Sequence, residues 1–214
     1  MKPRCKICGH QVQTLVDSQF DLDYFLCLNC EYCFQTHSAY LSPEEEKALY
    51  LIHENDAQNK AYMARFRHMI ENYLLPVTDH NRSVLDYGSG PAPVLAKLLE
   101  THGFQVDIYD PYFAPSTCFR EKQVDLITCT EVVEHLKDPV SVFQELASIL
   151  NPGGRLAIST QFHSMNDRDF LNWRYRRDPT HIGFFRKRTF EVLAAFTNLK
   201  LLSCDEVSFC LLSK

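Results

Sequence analysis

The stretch Val84-Leu85-Asp86-Tyr87-Gly88-Ser89-Gly90 reads as a short apolar strand that runs into a glycine turn, and Val94 to Leu99 (VLAKLL) continues it as a helix. Glycine lets the backbone take positive φ and lets a ligand come close where a side chain would stand in the way. A helix opening behind such a turn offers unpaired backbone N–H groups and the positive end of its dipole. Strand, turn and helix together predict a cofactor-binding unit. Phe104 to Asp110 (FQVDIYD) then reads as a second strand ending on an acid, about twenty residues past the turn. At that distance a carboxylate can accept hydrogen bonds from ribose hydroxyls.

The spacing is Asp86-x-Gly88-x-Gly90-x-Ala92, which is not the G-x-G-x-x-G of a dinucleotide fold. It resembles motif I of the class I S-adenosylmethionine-dependent methyltransferases, where an acid precedes the glycines. Val124 to Cys129 (VDLITC), followed by Glu131 to Leu136 (EVVEHL), is similar to that family's fourth strand and the helix behind it. Leu150 to Ile158 (LNPGGRLAI) is similar to its L-x-P-G-G turn into the fifth strand. The resemblance covers residues 82–214. It implies an α/β fold, a Rossmann-like methyltransferase sheet with flanking helices, and S-adenosylmethionine as cofactor. It further implies that Asp86, Gly88, Ser89 and Gly90 hold the methionine end, that Asp110 holds the ribose, and that Glu131 and His135 lie near the methyl group. Two departures stand out. Ala92 takes the place of the third glycine, between Pro91 and Pro93, which remove two N–H donors. The interval from Asp110 to Asp125 is short, so a third strand with its adenine-binding acid is not identifiable.

A hydrophobic fraction of 45% and a charged fraction of 23% in 214 residues are ordinary for a globular protein, with room for one full domain and a small one. The formal net charge of −5 argues against broad nonspecific nucleic-acid binding. No apolar run approaches a membrane span, and MKPRCKICGH has no signal-peptide core. Nine cysteines in that setting point to a reducing, cytoplasmic compartment, where thiols bind metal or sit buried.

Residues 1–40 read as a separate zinc-binding module, similar to a zinc ribbon. Cys5-x2-Cys8 and Cys27-x2-Cys30 place paired thiolates on two tight knuckles, and two such pairs complete a tetrahedral four-cysteine zinc site. Four cysteine ligands leave no open coordination place, so the expected zinc is structural. Cys33, His10 and His37 are spare candidates. Residues 41–81 read as a helical linker or lid: Ser42-Pro43-Glu44-Glu45 is a capping hydroxyl, a first-turn proline and acids facing the dipole. The polar run His53-Glu54-Asn55-Asp56 reads as a solvated turn between helices, or as part of the cleft.

After the fifth strand, residues 161–188 mix aromatics with arginines and should overhang the site, because ligands in such sheets sit at the carboxyl ends of the strands. Asp178-Pro179-Thr180-His181-Ile182 resembles a segment that follows strand five in small-molecule and sugar methyltransferases. His181 is the first candidate for the general base and His163 the second; His181 could equally cap a helix or bond the backbone. The arginines could grip a phosphate-bearing acceptor, stack on RNA, or pair with the chain's own acids. Residues 189–214 read as a helix and an antiparallel ribbon at the sheet edge. Three functions follow. The first is methyl transfer to a small molecule, possible acceptors being phosphate-bearing or sugar-type, since bacterial sugar C-methyltransferases, which are longer, share the zinc-plus-core plan. The second is methylation of RNA or protein with the zinc module as docking surface, as in some ribosomal RNA methyltransferases. The third is a binding module that has lost catalysis.

Overall fold

The computed structural model describes residues 3–36, 40–52, 58–77 and 82–214. Its main sheet uses β4 (Ser83–Tyr87), β5 (Gln105–Tyr109), β6 (Val124–Thr130), β7 (Leu150–Ser159), β9 (Lys200–Cys204) and β10 (Phe209–Ser213) in the order β5-β4-β6-β7-β10-β9. The first four are parallel, and β10 runs antiparallel to both β7 and β9. Val84, Leu85, Asp86 and Tyr87 are all buried, as expected of a parallel strand covered on both faces. The resulting fold is the expected α/β Rossmann-like sheet, with the C-terminal ribbon closing one side.

Helices cover both faces. On one, Leu95 and Leu99 of α3 (Val94–Thr101) join Phe66 and Met69 of α2 (Lys60–Met69) over Val84, Leu126 and Ala157. On the other, Phe143 and Leu146 of α4 (Pro139–Ile149) and Phe190 and Leu193 of α6 (Lys187–Phe196) pack on Leu85, Ile127 and Leu156. The lid begins with α1 (Pro43–Tyr50), closed by a capping box in which the Glu45 amide donates to Ser42 Oγ and the Ser42 amide donates to Glu45 Oε2. His53 to Asp56 lie outside the described residues.

One local reading is corrected and one is met. Glu131 to Leu136 is not a helix: Val133–His135 makes a single 3-10 turn, because Glu131 takes a left-handed φ of 53° and sends the chain aside. The helix starts later, at Pro139, where Asp138 Oδ1 accepts from the Ser141 amide. Between β5 and β6 there is only a turn and a 3-10 segment, Cys118–Glu121, since the interval is too short for a strand with its crossover.

A second sheet has the order β1-β2-β3-β8, from β1 (Gln13–Asp17), β2 (Leu22–Leu26), β3 (Cys33–Gln35) and β8 (Gly183–Phe184). Its last strand comes from the loop after β7, which also carries α5 (Asp167–Asn172). Tyr32 meets Phe185 with ring centroids 5.0 Å apart, and Phe185 stacks on Phe190 at 5.3 Å, so one apolar core runs from the cysteine-bearing segment into the main sheet. Each such fully buried ring contributes about 1.5–3 kcal/mol by leaving water.

Candidate functional site

A cavity of about 530 Å³ opens at the carboxyl ends of β4, β5 and β6, within the usual range for small-molecule sites. Its floor is the glycine turn. Gly88 and Gly90 take φ of +84° and +67°, conformations that favour glycine. The Gly88 and Ser89 amides donate to the Tyr109 carbonyl at 2.7 and 3.1 Å, which folds the turn onto the end of β5. Asp110 is buried and accepts from the Gly90 amide at 3.0 Å and from the Tyr112 and Phe113 amides at 2.8 and 3.1 Å. It therefore caps its own turn and joins that turn to the glycine loop while lining the cavity.

Asp86 sits at the end of β4 with its Oδ1 accepting from Thr128 Oγ1 at 2.8 Å. Burial pushes its carboxyl up to about 6, against the Thr128 hydrogen bond that lowers it. The folded chain then holds a proton that an unfolded aspartate, titrating near 3.8, has already lost. Stability should fall as pH rises through the window from about 4 to 6, and the cost persists above it. Asp86→Asn keeps an acceptor for Thr128 and removes the charge. It should stabilise the ligand-free protein at pH 8 by up to about 3 kcal/mol and do little at pH 4, by the pKa-to-energy conversion. Urea titrations at the two pH values check this; equal effects at both would sink it.

The roof comes from the lid. Tyr50, Tyr62, Arg65 and Phe66 line it, and Tyr112 Oη donates to Glu46, latching α1 onto the turn after β5. Arg65 donates to Glu131 and to Ser159 Oγ, the latter at 2.8 Å. Around the cavity, Glu46, Asp86, Asp110, Glu131 and Asp178 face a single Lys or Arg among the described lining residues, Arg65. The wall thus favours cations.

At the far end, the Tyr175 hydroxyl lies between Glu131 Oε2, at 3.0 Å, and Glu134 Oε1. Glu134 is fully buried; burial, with the Glu131 charge second, pushes its carboxyl up to about 8. His135 and His181 stand with ring centroids 4.8 Å apart. Both line the cavity. His181 is also bonded to backbone, its Nδ1 lying 2.7 Å from the Tyr175 carbonyl, so the two readings of it coexist. Against the upward push of burial, the Thr180 hydroxyl and amide hold Asp178 below the usual carboxylate range.

His163 is elsewhere. It is buried away from the cavity, with Nε2 at 2.7 Å from the Glu31 carbonyl and Nδ1 at 2.9 Å from that of Ser164. Its ring tethers the second cysteine knuckle to the loop after β7, and it has no route to an acceptor. Three of the loop's arginines are likewise committed. Arg176 is fully buried against Asp17, the Phe170 and Leu171 carbonyls and Tyr24 Oη, Arg186 pairs with Glu31, and Arg188 pairs with Glu191.

Cys5, Cys8, Cys27 and Cys30 converge, all four Sγ atoms lying within 4.8 Å of one another. The contacts Cys5–Cys30, Cys8–Cys27 and Cys8–Cys30 measure 3.5, 3.4 and 3.5 Å. A tetrahedral zinc with bonds of about 2.3 Å would set its sulfurs about 3.8 Å apart. The donor set fits. Gly9 and Glu31, each one residue past a knuckle's second cysteine, take φ of +72° and +58°, so both knuckles turn alike. Of the spare candidates, Cys33 is buried in a separate apolar cluster, His10 is exposed with Nδ1 by the Cys8 carbonyl, and His37 lies outside the described residues.

The glycine cradle also suits S-adenosylmethionine on this structure's own terms. Ser89 Oγ is buried beside the cavity with no hydrogen-bond partner among the described residues, and the acidic wall suits a sulfonium and an ammonium. Arg65, which lines the cavity from the lid, and Tyr175, which reaches Glu131 from the loop after β7, carried no sequence motif. Among the described residues no helix is long and apolar enough to cross a membrane.

The sequence profile of a family described as "Methyltransferase domain" matches residues 56–204. A ubiquinone biosynthesis O-methyltransferase of Stutzerimonas stutzeri (strain A1501) is 32% identical over 76 residues, covering 36% of this chain and 33% of that relative. The enzyme of that name from Klebsiella pneumoniae (strain 342) is 34% identical over 76 residues, 36% of this chain and 31% of its own. The match therefore spans about a third of these relatives' length. Among solved structures, the mitomycin 7-O-methyltransferase superposes with a TM-score of 0.56 at 14% identity, covering 81% of this chain and 58% of that one. An O-methyltransferase family 2 protein from Planctomyces limnophilus DSM 3776, solved with apigenin, gives 0.53 at 16% identity, covering 81% and 63%. These two likenesses bear on the fold.

Proposed function

Because this chain belongs to that methyltransferase-domain family, we propose that it transfers the methyl group of S-adenosylmethionine to a hydroxyl oxygen of a small acceptor. The observation that carries the reading is the acid-lined cavity over the Gly88–Gly90 turn, roofed by the lid and ended by His135 and His181. In this reading Asp86, Gly88, Ser89 and Gly90 hold the methionine end of the cofactor and Asp110 the ribose. Glu131 and His135 border the methyl group. The O-methyltransferases among the relatives support oxygen as the acceptor atom.

S-adenosylmethionine brings a methyl on a sulfonium, so no acid is needed for its leaving group. This chain's residues must hold the acceptor in line, exclude water and receive a proton. Orientation of that kind supplies about 7–11 kcal/mol in favourable cases. With Nδ1–H donated to the Tyr175 carbonyl, His181 turns Nε2 out as its lone-pair nitrogen, and we place the acceptor's proton there. The acidic cavity wall disfavours a phosphate on the acceptor, and Arg176, Arg186 and Arg188 are spent on Asp17, Glu31 and Glu191. The Asp17 and Glu31 pairs also hold the cysteine-bearing segment against the loop after β7, and a structural zinc on Cys5, Cys8, Cys27 and Cys30 belongs to the same proposal.

The test is methyl-labelled S-adenosylmethionine, the zinc-loaded protein and a lysate of the source cells, with label counted in the small-molecule fraction and in the macromolecular pellet. Label on a small molecule, more than about tenfold lower with His181→Asn, is expected. Label in a nuclease- or protease-sensitive pellet would overturn the small-molecule reading. Failure to bind S-adenosylhomocysteine by calorimetry would overturn methyl transfer altogether.

A further inference from the structure

We propose that Glu134, His135 and His181 together hold a divalent transition-metal ion at the acceptor end of the cavity. One ligand atom from each of the three lies within 4.8 Å of the others. Both imidazoles are set up for a cation. His135 Nδ1 is 2.9 Å from the Thr180 carbonyl and His181 Nδ1 is 2.7 Å from the Tyr175 carbonyl. A carbonyl that takes the Nδ1–H fixes the tautomer and puts the ring's lone pair on Nε2, an arrangement that ligating histidines use.

The carboxylate points the same way independently. Glu134 is fully buried, and its Oε2 has no hydrogen-bond partner among the described residues. Its Oε1 is held by the Tyr175 hydroxyl, which orients the group. A buried, half-satisfied carboxylate is costly unless a cation is near. Arg65, a guanidinium that feels the Glu134 charge, is bonded to Glu131 instead. Two imidazoles and one carboxylate suit manganese, iron(II), cobalt or zinc, whereas magnesium and calcium favour all-oxygen sets.

The ion's role rests on the methyl-transfer reading above, although its binding does not. An acceptor hydroxyl coordinated there loses its proton to solvent by way of Asp178, whose Oδ2 is 3.9 Å from His181 Nε2. The resulting oxyanion attacks the methyl carbon, the O–CH3 bond forms as the S–CH3 bond breaks, and S-adenosylhomocysteine leaves. With the ion in place His181 is a ligand, and the metal does what the bare imidazole would otherwise do.

The full chain, loaded with one equivalent of zinc, is titrated with manganese(II) chloride while electron paramagnetic resonance follows the free ion. One further ion per chain is expected, with echo modulation from two imidazole nitrogens. Glu134→Gln and His135→Asn should each weaken manganese binding by at least about tenfold with zinc content unchanged, and Glu134→Gln, whose side chain is not part of the cavity lining, should also keep S-adenosylhomocysteine binding. No manganese bound, no nitrogen modulation in the unaltered protein, or variants that bind as tightly would overturn the site. S-adenosylhomocysteine binding without manganese binding leaves the methyl-transfer reading standing and sinks this one; manganese binding without S-adenosylhomocysteine binding does the reverse.

Discussion

Stripping the four-cysteine site of zinc, by chelation or by Cys27→Ser, should abolish turnover and lower the melting temperature together. The ligands are remote from the lining of the cavity, so a direct chemical role is not the reason. The second knuckle is docked: the Thr189 hydroxyl donates to the Cys30 carbonyl at 2.9 Å, and His163 and Arg186 hold Glu31. From that knuckle the chain enters β3, which pairs with β8, and at its end the Gln35 side chain donates to the His181 carbonyl at 3.0 Å and the Gln35 backbone amide donates to the Ile182 carbonyl at 3.0 Å. A metal on the four sulfurs would thus brace the loop that carries Asp178 and His181. Structural zinc contributes roughly 10–16 kcal/mol in isolated fingers, comparable with the whole net stability of a domain. Without it Arg176 also loses Asp17, and an uncompensated buried charge costs about 3–5 kcal/mol. Among the described residues, no strand of this segment pairs with β4, β5 or β6, and none of its residues lines the cavity. S-adenosylhomocysteine binding should therefore weaken only severalfold while methyl transfer disappears. Calorimetry, turnover and circular dichroism melts before and after chelation measure all three. An unchanged melt with full turnover would remove the cysteines from any structural role.

The glycine turn and its flanking strands were legible because each has a local cause: an apolar run, a residue type that tolerates positive φ, a helix behind it. The four cysteines were legible for the same reason, since a C-x2-C knuckle is a local geometry. His163 was misread as a catalytic candidate because nothing in its neighbourhood in sequence shows that Glu31, far earlier in the chain, offers it a carbonyl. The arginines of the same loop show the opposite case. Their charge was plain, but whether they face an acceptor or the acids Asp17 and Glu31 is decided by the β3–β8 pairing, a long-range contact with no sequence period. Arg65 and Tyr175 were invisible for that reason too: each acts on Glu131 from an element distant in sequence. Glu134 was readable only as part of a helix that does not form. The left-handed Glu131 turns its carboxyl inward, to where it meets Tyr175.

Gly88→Ala should cost far more than Gly90→Ala, although the two glycines are indistinguishable as motif letters. Both have positive φ, so each substitution pays backbone strain of about 1–2 kcal/mol. At Gly90 a new Cβ would meet nothing within 4 Å, and the strain is the whole effect. At Gly88 it would lie 2.2 Å from Val132 Cγ2, where carbon atoms normally stand about 3.5–4.0 Å apart. Val132 cannot turn aside easily. Its β-branched side chain is stiff, and its neighbours are fixed by the bond from the Glu131 amide to the Ser159 carbonyl at 2.8 Å and by the fully buried Val133. Relief must come from moving the turn or the Glu131 segment, and both walls define the cavity. Gly88→Ala should weaken S-adenosylhomocysteine binding by about 100-fold or more, Gly90→Ala by no more than about tenfold, each tenfold being about 1.4 kcal/mol. Val132→Ala placed on Gly88→Ala should restore part of the loss and leave the strain behind. Calorimetry on the three variants decides the matter. Equal losses at the two glycines, or no rescue by Val132→Ala, would mean that backbone conformation alone, and not the packing of the turn against the Glu131 segment, sets the shape of the cofactor cradle.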